Sequence, residues 1–95
     1  MALFGKAREL KSLQTELTGL RAGCGMHAKV PAANQRRAEI AFPRDINGAV
    51  DRAVRAGHAA EARELLIQAR SNPPTQTGGL DYDGIIGGAL GRISG

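Results

Sequence analysis

Glycine restricts this chain more than any other residue, because of where it is concentrated. Seven of the thirteen glycines fall within residues 75–95. Glycine loses the most backbone entropy on ordering, and chain ends are poorly held, so such a segment stays ordered only when something pins it. The apolar residues threaded through it show how. Tyr82, Ile86, Leu90 and Ile93 share one face of a short helix, and Gly84/Gly88 and Gly87/Gly91 are four-apart pairs that let another backbone come close. An extended strand added to a neighbour's sheet edge is the other form open to it. The expectation is a Gly-rich C-terminal arm, residues 73–95, docked on another subunit. Its anchors would be Tyr82, Ile86, Leu90 and Ile93, with Gly87 or Gly88 at the closest approach. The alternative is a flexible end whose few apolar residues fold back on their own domain.

Core material is scarce. There is no Trp, one Tyr and two Phe in 95 residues, and much of the apolar content is alanine. At about 25 cal/mol per Å² of buried apolar surface, alanine contributes little, so stability from one small domain is marginal and association would relieve it. Cys24 is the only cysteine, which excludes an intrachain disulfide and suits a reducing compartment.

Helical periodicity dominates the rest. Leu10, Leu13, Leu17 and Leu20 recur at spacings of three and four, which predicts an amphipathic N-terminal helix within residues 1–22, starting at residue 3 and ending near residue 20. That stripe packs either on its own domain or on a partner chain. Gly23 and Gly25 flank Cys24 and should stop the helix, with Gly23 as a left-handed cap. Pro31 restarts the chain, and Phe42-Pro43 should end a helix over residues 32–42, since the residue before a proline avoids the helical region. Asp45 then caps a helix with Ile46, Ala49, Val50, Ala53 and Val54 on its apolar face. After a turn at Gly57-His58, Ala62, Leu65, Leu66 and Ala69 mark a second helix; a single kinked helix over residues 45–70 is the alternative, since glycine inside a helix costs only about 1 kcal/mol. Together these give a helical core over residues 31–72 built around a central hairpin. The spacing of Gly57, Ala62, Ala69 and Pro74 resembles the second helix of a tetratricopeptide repeat. The family's first-helix pattern and a second copy are both lacking, so the likeness implies a local packing solution and no more.

Net charge is +4, carried by the N-terminal half: residues 1–44 are +5, residues 45–70 neutral and residues 71–95 −1. Lys29, Arg36, Arg37 and Arg44 are the residues that would contact phosphates if nucleic acid were the partner, without reading bases. No run is apolar for long enough to cross a membrane or serve as a signal peptide, so a soluble protein is expected, cytoplasmic or within a virus particle.

No set of residues composes a catalytic or metal site. Cys24 and His27 lack further ligands, with His58 the only other histidine. Asp81-Tyr82-Asp83-Gly84 opens like a calcium loop and then lacks the later oxygen ligands. The expectation is a small, mainly α, non-enzymatic protein without cofactors. Its role would be structural or interactive: a subunit or stabiliser of a homo- or hetero-oligomer such as a virion or capsid-associated component. Docking would use Leu10, Leu13, Leu17, Leu20 and the four arm anchors. A small basic nucleic-acid-binding protein is the alternative.

Overall fold

The computed structural model describes residues 7–94, and the first residues of the predicted N-terminal helix lie outside that range. Four helices build the described part: α1 (Arg8–Met26), α2 (Ala32–Arg55), α3 (Ala59–Ser71) and α4 (Tyr82–Ser94). A short 3₁₀ turn, His27–Lys29, joins the first two, and there is no strand among the described residues.

The leucine stripe behaves as its spacing predicts, but the helix that carries it is longer. Leu10, Leu13, Leu17, Leu20 and Cys24 form one buried seam, so α1 runs straight through Gly23-Cys24-Gly25. The predicted stop at the glycines is corrected for a packing reason. Each glycine costs a helix about 1 kcal/mol, while stopping there would take Cys24 out of the core. Gly23 is not a left-handed cap either, since positive φ occurs only at Gly57, Gly78 and Gly79 among the described residues. It provides clearance: a Cβ there would stand 2.7 Å from the ring of Phe42.

The second correction concerns Pro43. The break expected at Phe42-Pro43, and the fresh start capped by Asp45, are replaced by one helix of 24 residues with Pro43 inside it. Proline in a helix interior removes one hydrogen bond and costs roughly 3 kcal/mol. Continuity compensates, because one unbroken element places Phe42 against Gly23 and Ile46, Ala49, Val50 and Ala53 in the core. The Asp45 carboxylate instead meets Arg44 on the surface, at 3.1 Å. At its start, the Pro31 carbonyl accepts hydrogen bonds from the Asn34 and Gln35 N–H groups.

The hairpin turn falls where Gly57-His58 predicts it. Gly57 takes φ +87°, the His58 N–H donates to the Ala53 carbonyl and the Gly57 N–H to that of Val54. This is a Schellman closure, which satisfies the last carbonyls of α2. Helix α3 then buries Ala62, Leu65 and Leu66.

The C-terminal arm is a helix, and it belongs to the core of its own chain. Leu80, Tyr82, Ile86 and Ala89 are buried in the same cluster as the α1 leucines, with Leu90 and Ile93 packed against it. The predicted face is the buried one, and within this chain it lies against α2 and α3, as the fold-back alternative has it. Several groups pin the arm. Asp81 caps α4 by accepting from the Gly84 N–H at 3.1 Å, and the Tyr82 hydroxyl donates to the Ala69 carbonyl at 2.7 Å. Arg70 grips Asp83 with two hydrogen bonds, and Arg92 does the same to Asp51. Within this chain a Cβ at Gly87 would stand 3.5 Å from the Arg70 guanidinium and one at Gly88 would have no atom within 4 Å. Gly78, at φ +62°, makes the close backbone approach: a Cβ there would stand 2.8 Å from the Cys24 carbonyl oxygen. That contact seats the 72–81 loop across the end of α1.

These three glycine environments give opposite expectations under alanine substitution. Gly19 lies in α1 with nothing near a Cβ, so Gly19→Ala should stabilise by about 1 kcal/mol. Gly23→Ala should destabilise by about 1–3 kcal/mol through overpacking on Phe42, and Gly78→Ala by a similar amount through left-handed strain. Urea denaturation of the three variants would check the order, and the account fails if Gly23→Ala matches Gly19→Ala.

Candidate functional site

A helix of 3.6 residues per turn presents Arg36, Ile40, Pro43 and Asn47, spaced four, three and four apart, along one strip. On α2 this strip borders the face buried by Ile46, Ala49, Val50 and Ala53. Its lower half, Pro43 and Asn47, forms one wall of a groove between α2 and α4. Ile40 stands beyond that wall and is 67% exposed, the most exposed large aliphatic side chain among the described residues.

The groove encloses about 450 Å³. Its opposite wall comes from α4 and the residues leading into it: Leu80 and Ile85 supply apolar surface, Gly88 supplies depth, and Asp81 stands at the α4 N-terminus with its carboxylate over Gly84. Glu39 lines it from α2, and the Asn47 Oδ1 is buried without a hydrogen-bond partner. Pro43 has no N–H to give the Glu39 carbonyl, so the helix lacks that one backbone hydrogen bond beside the groove.

Glu39 also links the groove to the junction of α1 and α2. Its carboxylate lies 3.1 Å from Nε2 of His27, whose side chain is 2% exposed while that of Glu39 is 49% exposed. The His27 ring sits under the 72–81 loop, near Gly78 and Gly79. His27 is thus engaged with Glu39, not paired with Cys24, and burial pushes the Cys24 thiol above its ordinary pKa despite the opposing charge of Arg21. Among the described residues no group of three or more His, Cys, Asp or Glu side chains could hold a metal. The two aspartates of the calcium-like segment are used differently, Asp81 as a cap and Asp83 as the partner of Arg70.

The predicted site residues separate into two groups. Leu10, Leu13, Leu17, Leu20, Tyr82 and Ile86 are core, and Leu90 and Ile93 are half-buried against it. Lys29, Arg36, Arg37 and Arg44 are all exposed. Arg36, Arg37 and Arg44 lie on the outer side of α2 together with Ile40, whereas Lys29 sits in the preceding 3₁₀ turn. Sequence reasoning missed Glu39, Asn47 and the role of Ile40. Their common face exists only if α2 continues through Pro43, and the residue pattern argued against that continuity. No helix among the described residues is long and apolar enough to cross a membrane. Comparison with known proteins gave no matching family model, no matching curated relative and no matching solved structure.

The far wall of the groove depends on two ion pairs. Hydrogen bonding to Arg92 holds the Asp51 carboxyl below its usual range, and Arg70 does the same to Asp83. A carboxylate whose folded-state pKa is depressed contributes stability above its unfolded pKa and loses it as pH falls through the folded one. Asp51→Asn and Asp83→Asn should therefore each lower the melting temperature slightly at neutral pH, and the difference from the parent chain should vanish near pH 2. Both pairs are exposed, so the neutral-pH effect should also shrink with added salt. Thermal melts by circular dichroism at both pH values would check this. A deficit that persists in acid would mean the substitutions act through packing.

Proposed function

We propose that this chain is a non-enzymatic interaction protein, a small structural subunit or stabiliser of a larger assembly, and that it meets its neighbour through the outer strip of α2. The observation that carries this reading is Ile40, exposed beside an apolar-walled groove and bordered by Arg36, Arg37 and Arg44. Single exposed aliphatic residues are common on surfaces. This one adjoins a concavity and has arginines around it, which is the anatomy of a contact surface with an apolar centre and a polar, arginine-bearing rim. A virus particle is one setting for such a subunit.

A photo-crosslinking residue at position 40, compared with one at the exposed position 64 on α3, tests the proposal in cells producing the chain. Position 40 should give one discrete protein adduct that Arg36→Glu abolishes, and position 64 should not. Identical patterns at the two positions would remove the assignment. Ile40→Glu should change stability by less than about 0.5 kcal/mol, as befits a surface site.

The shared orientation of Arg36, Arg37 and Arg44 supports a second reading, contact with a phosphate backbone. Arg44 already has Asp45 beside it, which leaves Arg36 and Arg37 as the principal contacts. Anisotropy with a labelled duplex should then show affinity falling steeply with salt. Replacing both arginines by alanine should reduce the log–log salt slope by about 2. An unchanged slope would exclude these residues from the interface.

A further inference from the structure

We propose that the groove between α2 and α4 is a receptor for one arginine side chain of a partner protein. This deepens the interaction reading by naming what the partner inserts beside Ile40. The groove offers acceptors in excess. The Asn47 Oδ1 is buried and unpartnered. The carboxylates of Glu39 and Asp81 belong to the same lining, which contains no Lys, Arg or His. Buried acceptors without donors are costly, and a ligand that satisfies them recovers that cost.

The shape narrows the donor. Leu80 and Ile85 give the groove apolar surface, and Gly88, where no atom would lie within 4 Å of a Cβ, leaves room for a chain to lie along it. An aliphatic stem on that surface with a charged head among the acceptors is how long cationic side chains settle. The head must serve acceptors of different kinds: an amide oxygen and two carboxylates. A guanidinium has five N–H donors in a rigid plane, against three on an ammonium, and is more weakly hydrated. The chain's own arginines next to α4 are committed elsewhere, Arg70 to Asp83 and Arg92 to Asp51.

The test is a titration of the full isotope-labelled chain, followed by amide NMR. The probe is n-butylguanidinium, with pentanamide as the neutral control of similar length. Saturable shifts are expected at the Asn47 side-chain amide and at the Gly84 and Gly88 N–H groups, in the millimolar range for so small a ligand. Glu39→Gln and Asn47→Leu should each weaken binding at least fivefold while retaining a folded spectrum, and Glu64→Gln should leave it unchanged. The capped tripeptide Ala-Arg-Ala should bind more tightly than Ala-Lys-Ala. Absence of saturation, an equal response to pentanamide, or equal binding of the two peptides would overturn the proposal. A concentration-dependent dimer abolished by Asn47→Leu would place a second copy in the groove and overturn it as well. Failure here would leave the crosslinking result at Ile40 intact, and failure at Ile40 would leave saturable binding in the groove intact, so the two ideas fall separately.

Discussion

The continuity of α2 through Pro43 is the constraint on which the other features depend. This helix packs against α1 on one side and α4 on another. Its first half brings Phe42 onto Gly23, and its second half supplies Ile46, Ala49, Val50 and Ala53 to the core. Two independent helices joined at Phe42-Pro43 would have no reason to hold those contacts in one register. The cost is one missing hydrogen bond, and it is taken at the position where the helix borders the groove. The local defect therefore lies beside the concave surface that holds the unpartnered Asn47 Oδ1.

A chain poor in aromatic residues must gain burial by bringing backbones close, and glycine and alanine allow that here. Gly23 receives the Phe42 ring, and Gly78 lets the 72–81 loop cross the end of α1. Ala49, Ala53, Ala62 and Ala89 are fully buried between helices. Neither 13-residue helix, α3 or α4, is long enough to be stable alone in water, so each depends on this packing. The C-terminal helix depends on it most, because of its glycine content, and it is accordingly held by a cap, a buried tyrosine hydroxyl bond and two ion pairs. Order in that segment comes from the rest of the same chain.

The surface that remains is uneven. Four leucines and the apolar side of α4 are spent on the core, which leaves the outer side of α2 with an exposed isoleucine, its arginines and the adjoining groove. The interaction role we propose rests on α2 and the groove.

Sequence periodicity alone determined the helical class, the leucine seam of α1, the α2–α3 hairpin with its glycine turn, and the inward face of α4. Each follows from apolar residues three and four apart and from glycine's access to positive φ, which are properties of short segments. Tertiary structure decided which local signals would be overruled. Gly23-Cys24-Gly25 and Phe42-Pro43 are helix breakers by local preference, worth roughly 1 kcal/mol for each glycine and 3 kcal/mol for the proline. Burial of Cys24 and the fit of Phe42 on Gly23 outweigh them, and both involve partners distant in the chain. The groove was illegible for the same reason: Glu39 and Asn47 come together with Asp81, Gly84 and Gly88 only after α2 has run straight through its proline and α4 has folded back against it.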